Sequence, residues 1–159
     1  SEGSITFERV QLVARTLHFP NDRNPDRRLR IAYMSGDFRE HPVARAVLPL
    51  LEHHDRERFE VFCYSDEERA DGLTRRLRAV VSQWHEIGLM PNEAVAALMR
   101  SHQIDLLVDL SSHMWGDRLM TLALKPAPVQ VSFIGYPATT ARAPPPRSWG
   151  GTRRPTSPS

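Results

Sequence analysis

Apolar and polar positions fall in short blocks along this chain, and the blocks change period. Ile31, Ala32, Tyr33 and Met34 form a continuous apolar run of a length that suits a buried strand better than a helix. Ser35 and Gly36 break the run, and Asp37 to Glu40 are a polar loop. Pro42 then stands where proline suits the first turn of a helix, because its missing N–H has no partner there. Val43, Ala46, Val47, Leu50 and Leu51 follow at helical spacing. The same unit recurs. Arg58 to Tyr64 alternates and is rich in β-formers, predicting a second strand. Asp66 to Asp71 is an acidic loop, and Leu73, Leu77, Val80 and Val81 form the face of the next helix. Gln83 to Ile87 predicts a short third strand, and Pro91 opens a helix over Ala94, Val95, Leu98 and Met99. Ile104 to Leu110 is the clearest strand of all. Arg118 to Leu124 predicts a short helix stopped by Lys125-Pro-Ala-Pro128, and Val129 to Ile134 a fifth strand leading into Gly135-Tyr136-Pro137.

Strands alternating with helices predict a parallel sheet with right-handed crossovers, an α/β Rossmann-like layer over residues 29–140. Ahead of it, Ile5, Val10, Leu12, Val13 and Leu17 predict an entry helix from Ile5 to His18, capped at Ser4. Pro20 to Arg28 reads as a polar linker, so residues 1–28 form a connector that suggests a larger unit before it. From Ala141 to Ser159 the character changes. Five prolines and four arginines stand there without one acidic residue, and Trp149 is the only large apolar side chain. Such a segment cannot bury enough surface to offset its ordering entropy, and disorder is the expectation.

At 159 residues the chain suits one domain with its own core. Hydrophobic residues at 40% and charged residues at 25% are ordinary for a globular protein. No run approaches the ~20 apolar residues of a membrane span, and no signal pattern opens the chain. Cys63 is the single cysteine, which excludes an internal disulfide and points to a reducing, cytoplasmic setting. The net charge of +2 misleads when taken whole. Setting the tail's four arginines aside leaves 17 of the 21 basic side chains against all 19 acidic ones, a body near −2. A basic balance confined to a tail does not argue for a nucleic-acid partner. The three spaced glycines of the dinucleotide fingerprint do not follow the first strand, which disfavours nicotinamide or flavin binding of that type.

In open α/β sheets ligands bind beyond the carboxyl ends of the strands, where helix N-termini attract anions. Asp37 and His41 lie in such a loop after the first strand. Each has an ordinary reading too, Asp37 as a turn or capping residue and His41 as an exposed helix-entry residue. His113 follows the fourth strand, and Gly135, Tyr136 and Pro137 follow the fifth. Parallel strands would bring all three loops to one edge, and their convergence marks a site better than any single residue does. His53 and His54 end a helix, where solvated imidazoles favour the negative end, and they do not read as a metal site. His18, His85 and His102 stand isolated in sequence. Cys63 reads as a small core residue.

Four stretches together resemble the catalytic region of the protein O-linked N-acetylglucosamine transferases and their bacterial and plant SPINDLY-like relatives. They are Arg28-Leu-Arg-Ile-Ala-Tyr-Met-Ser-Gly-Asp37-Phe-Arg-Glu-His41-Pro42, Phe59-Glu-Val-Phe-Cys-Tyr64, Ile104-Asp-Leu-Leu-Val-Asp-Leu-Ser-Ser-His113 and Lys125-Pro-Ala-Pro-Val-Gln-Val-Ser-Phe-Ile-Gly135-Tyr-Pro-Ala-Thr-Thr140. They run in family order, and the helix before them is similar to the connector after that family's tetratricopeptide repeats. The resemblance implies the amino-terminal lobe of a two-lobed glycosyltransferase B-type fold. It implies inverting transfer of N-acetylglucosamine from UDP-GlcNAc to Ser or Thr of proteins, with no metal and no cofactor. It puts Asp37, His41 and Pro42 on the sugar and acceptor side of the cleft, His41 as base or donor contact, and Gly135 and Pro137 on the turn touching the donor. Related protein O-fucosyl or N-glucosyl transfer, or a non-catalytic lobe that binds a partner, are the other readings.

Val43 stands where animal members have threonine, and after Thr140 the family's glycine and aromatic-acidic strand give way to the Pro/Arg tail. That composition is what GC-rich coding DNA yields out of frame. The second lobe, which supplies most nucleotide contacts in the family, does not follow, so the chain by itself is expected to be inactive. Limited proteolysis should remove Ala141 to Ser159 and leave the melting temperature unchanged. A cooperative loss of stability on deleting it would show that it packs.

Overall fold

Residues 18–111 and 118–133 are described by the computed structural model of the chain. They form β1 (Leu29–Ser35), α1 (Pro42–Glu52), β2 (Phe59–Ser65), α2 (Gly72–Val80), β3 (Gln83–Glu86), α3 (Asn92–Ser101), β4 (Leu106–Asp109), α4 (Leu119–Ala123) and β5 (Val129–Ser132). The strands make one parallel sheet in the order β3-β2-β1-β4-β5. This is the expected α/β Rossmann-like layer. The expected entry helix up to Leu17, the loop around His113, Gly135 to Pro137 and the tail lie outside the described residues, and His18 belongs to no helix.

The apolar run of β1 is continuous because the sheet is covered on both faces. Ile31 and Tyr33 join Val61, Cys63 and Val108 beneath Val47, Leu51 and Leu77 of α1 and α2. Ala32 and Met34 join Phe62, Tyr64 and Leu107 beneath Val95 and Met99 of α3. Cys63 is fully buried, and burial pushes its thiol up, out of reach of nucleophile chemistry.

Three expectations change. The buried face of α1 is Val43, Ala44, Val47, Leu48 and Leu51, while Leu50 is exposed. Leu48 takes the place expected for Leu50 because the stripe follows i, i+4 steps from Val43 and Ala44. β4 begins at Leu106 rather than Ile104. The backbone enters it through Gln103 in the left-handed region (φ 53°), and Asp105 is diverted to another task. That task also corrects the linker. Asn21 Nδ2 donates to Asp105 Oδ1 at 2.7 Å, Arg27 grips both carboxylate oxygens at 2.7 and 2.5 Å, and the Arg30 amide donates to Oδ2 at 2.9 Å. Pro20 to Arg28 is thus partly a strap across the amino-terminal edge of the sheet. Burial pushes the Asp105 carboxyl up, but these donors outweigh it and hold it below the usual carboxylate range.

His54, His85 and His102 are half-buried and partnered, whereas His53 is exposed as expected. Tyr33, its phenol pushed up to about 12 by burial, shares a hydrogen bond with His54 Nε2 through its hydroxyl at 2.7 Å. His54 also meets the Phe59 ring edge-on. Tyr64 does the same with His102 Nδ1 at 2.7 Å, and the His85 and His102 rings lie 4.5 Å apart. Sheet pairing brings these rings together: β2 carries Tyr64 and β3 carries His85 in register, while His102 closes α3 beside them.

Two outcomes follow. Asp105→Ala strands three donors and should destabilise the fold by about 1–3 kcal/mol in urea unfolding. Burial is the main cause lowering His54, His85 and His102 below their ordinary 6.5. The unfolded chain therefore binds protons first, so their stabilising effect is complete above about pH 6.5 and is lost as pH falls below it. The melting temperature should drop between pH 7.5 and 5.5, and His85→Gln with His102→Gln should flatten that drop.

Candidate functional site

Strand β1 ends at Ser35, which is fully buried, and the loop that follows is bolted down at four points. Ser35 Oγ accepts the Asp37 amide at 3.0 Å. Phe38 is wholly buried with its ring 5.5 Å from that of Trp84, and its carbonyl accepts the Thr74 hydroxyl at 2.7 Å. The Glu40 amide donates to Asp71 Oδ2 at 2.6 Å. Asp71 also caps α2 through the amides of Leu73 and Thr74 at 2.9 and 3.0 Å, while Thr74 Oγ1 accepts the Asp71 amide. The Thr74 and Glu40 amides hold its carboxyl below the usual range. One aspartate therefore ties the start of α2 to the loop that carries Asp37 and His41.

His41 is the N-cap of α1, with extended backbone at φ −149° and ψ 148°. Its Nδ1 accepts the Val43 amide at 3.2 Å, the role usually taken by Ser, Thr, Asp or Asn. A nitrogen that accepts carries no proton, so in the neutral ring the proton sits on Nε2, an assignment made from the hydrogen bond. Nε2 lies 3.8 Å from Asp37 Oδ1. As held here His41 keeps Nε2 as its hydrogen-bond donor, on the side of Asp37. Arg39 spans the rim, with Nε 2.6 Å from Glu67 and Nη2 3.7 Å from Asp37. Pro42 is at the start of α1 as expected, and the first turn holds no acidic residue, leaving its positive end uncompensated.

The loop opens at the switch point of the sheet, where β1 pairs with β2 on one side and β4 on the other. Open sheets leave their ligand crevice there. β1, β4 and β5 run parallel, so their carboxyl ends share one edge. His41 and Asp37 stand on that edge. His113, Gly135, Tyr136 and Pro137 lie outside the described residues. Sequence reasoning missed three polar groups nearby. Arg118 Nη2 pairs with Asp66 at 2.6 Å and also donates to the Ile87 carbonyl, and Arg118 Nη1 donates to the Met90 carbonyl. Asp109 ends β4 at 2% exposure, with Oδ1 accepting the Ser111 amide and Oδ2 without a partner among the described residues. A carboxylate closing the most apolar strand was the available signal. Among the described residues no group of three or more His, Cys, Asp or Glu is placed to hold a metal. No helix among them is long and apolar enough to cross a membrane.

Against known proteins, residues 1–144 match the family described as Glycosyl transferase family 41. The chain is 39% identical over 124 residues to a probable UDP-N-acetylglucosamine–peptide N-acetylglucosaminyltransferase, SPINDLY, of Arabidopsis thaliana, covering 76% of the chain and 14% of that protein. It is 33% identical over 146 residues to the UDP-N-acetylglucosamine–peptide N-acetylglucosaminyltransferase of Caenorhabditis elegans, covering 87% of the chain and 13% of that protein. A solved mutant of the Thermobaculum terrenum O-GlcNAc transferase superposes with TM-score 0.71 at 44% identity, covering 75% of this chain and 23% of that one. The chain thus spans about one seventh of the curated relatives it matches.

The capping role of His41 is separable from any chemistry. His41→Ala should cost about 0.5–2 kcal/mol of stability, and His41→Asn, which keeps a capping acceptor, should recover most of it. Urea unfolding of the two variants makes the comparison.

Proposed function

Because the chain belongs to glycosyl transferase family 41, we propose that it forms the first lobe of an enzyme moving N-acetylglucosamine from UDP-GlcNAc to Ser or Thr of proteins. Residues 29–140 are the lobe and residues 1–28 the connector to tetratricopeptide repeats. Its partners are the nucleotide-sugar and a protein acceptor in the cytoplasm, with no nucleic acid, membrane, metal or cofactor. The crevice at the β1–β4 switch receives the sugar and the acceptor hydroxyl. By the family resemblance, His113, Gly135, Tyr136 and Pro137 are proposed to contribute to substrate binding as well.

The acceptor oxygen bonds to the anomeric carbon as the bond to the UDP oxygen breaks, with inversion. The charge moves onto UDP, and the positive end of α1 adds to the groups of a second lobe in stabilising it. The hydroxyl proton needs an acceptor. Asp37 takes that role in this proposal, and His41 donates its Nε2–H to an oxygen of the donor. The observation that carries this division is the Val43 amide on His41 Nδ1, because a ring nitrogen that caps a helix leaves only N–H for the cleft.

In the complete enzyme, Asp37→Asn should lower kcat by about 10²–10⁴, as loss of general base catalysis does. His41→Ala should act mainly through donor binding, and His41→Asn should stay within about tenfold of the parent, since its amide can both cap and donate. Loss of kcat in His41→Asn as deep as in Asp37→Asn would reverse the two roles. The 159-residue chain alone offers one wall of the cleft. It should bind UDP weakly or not at all in calorimetry and transfer label at background, because the second wall that positions the donor is not in it. Turnover by the chain alone that is lost in His41→Ala would overturn this reading.

A further inference from the structure

The guanidinium of Arg118 has no part in the chemistry proposed above, yet it is 9% exposed and reaches four acceptors. Nη2 donates to Asp66 Oδ1 and to the Ile87 carbonyl, each at 2.6 Å. Nη1 donates to the Met90 carbonyl at 2.8 Å and to Asn92 Oδ1 at 3.4 Å. The last three acceptors tie the start of α4 to the residue after β3 and to the start of α3, which is ordinary fastening. Asp66 is different, because it stands in the loop after β2 and that loop runs against the candidate site.

Two routes lead from this loop to Asp37. Along the backbone, the Asp66 amide donates to the Ser35 carbonyl at 2.9 Å, and Ser35 Oγ accepts the Asp37 amide at 3.0 Å. Between them, a Cβ at Gly36 would lie 4.0 Å from Asp66 Cβ, so the two loops run side by side. Along the rim, Glu67 holds Arg39 Nε at 2.6 Å, and Arg39 Nη2 is 3.7 Å from Asp37 Oδ1. Phe38 and Asp71 fasten the loop only beyond Asp37. With Asp37 taken as the base, as proposed above, we infer that Arg118 is a positioning residue for the transfer. By gripping Asp66 it fixes Asp66 and Glu67, and these aim the Asp37 carboxylate. A buried ion pair adds little stability, since desolvation offsets most of its attraction. What the planar fork does add is direction, because its donors keep one geometry. A shift of about 1 Å in a reacting group costs about 10²-fold in rate, so a residue that never touches substrate can set kcat.

A double-mutant cycle in the complete enzyme tests this. Arg118→Ala and Asp66→Ala should each lower kcat by about 10–10²-fold and leave the KM for UDP-GlcNAc within about threefold. The double variant should be no slower than the slower single one, because both changes remove one interaction. In an Asp37→Asn background Arg118→Ala should cost less than about threefold, since no base is left to aim. An equal fractional loss with and without Asp37 would make Arg118 a structural residue only and overturn the inference. Should Arg118→Ala not fold, Asp66→Ala carries the same comparison, because it leaves the Ile87 and Met90 carbonyls paired. A second readout needs no activity. In the 159-residue chain, Arg118→Ala should speed hydrogen exchange at the Asp37 and Asp66 amides at least tenfold, while the β1 amides of Ala32 and Tyr33 keep their parent rates. Unchanged exchange at Asp37 and Asp66 would overturn the link itself. Faster exchange there, with kcat unchanged in Asp37→Asn, would uphold the link and remove Asp37 as the base.

Discussion

β1 is paired on both sides, with β2 on one and β4 on the other, and the remaining features of the site depend on that. Its partner on one side is β2, reached through α1, and on the other is β4, reached after α3. Right-handed crossovers then force α1 and α2 to one face and α3 to the other, and the loops after β1 and β4 diverge. The crevice is thus a product of chain handedness. Asp37 and His41 follow β1 and Asp109 ends β4, so all three lie at the carboxyl edge of the sheet beside the divergence.

Holding that rim rigid falls to a few side chains. Phe38 is buried against Trp84, and Asp71 joins the loop to the start of α2 with hydrogen bonds on both sides. The arrangement matters for chemistry because a catalytic group must be held before the substrate arrives. His41 is constrained most, since its own ring caps the helix it opens. Its tautomer is thereby set by backbone geometry, which converts a residue that could be acid, base or donor into a donor.

The opposite, amino-terminal edge has a different logic. There Asp105 gathers Asn21, Arg27 and the Arg30 amide, and what reads as a spacer becomes part of the domain. The candidate site sits at the carboxyl edge and the fastening at the amino edge. The segment ahead of β1 can therefore be joined mechanically to the sheet without touching the cleft.

The five strands and four helices of the described residues were legible in sequence because their apolar residues recur with the period of the element they form. Ile31 to Met34 and Leu106 to Asp109 need no partner to be identified as buried strands. The loop of Asp37 and His41 was legible for a related reason, since Pro42 marks a helix start and a helix start after a strand marks an edge. Four groups of facts depended on the tertiary structure. Leu48 rather than Leu50 faces the core because the sheet decides which margin of α1 is covered. His85 and His102 are 17 positions apart, and only strand pairing and the end of α3 stack them on Tyr64. Asp66 and Arg118 pair at 2.6 Å across 52 positions of chain. Asp105 was inside an expected strand, and its work as a fastener could not be foreseen from its neighbours. Periodicity is a local property that each segment carries by itself, whereas polar partnerships depend on which distant segments the crossovers bring within hydrogen-bond reach.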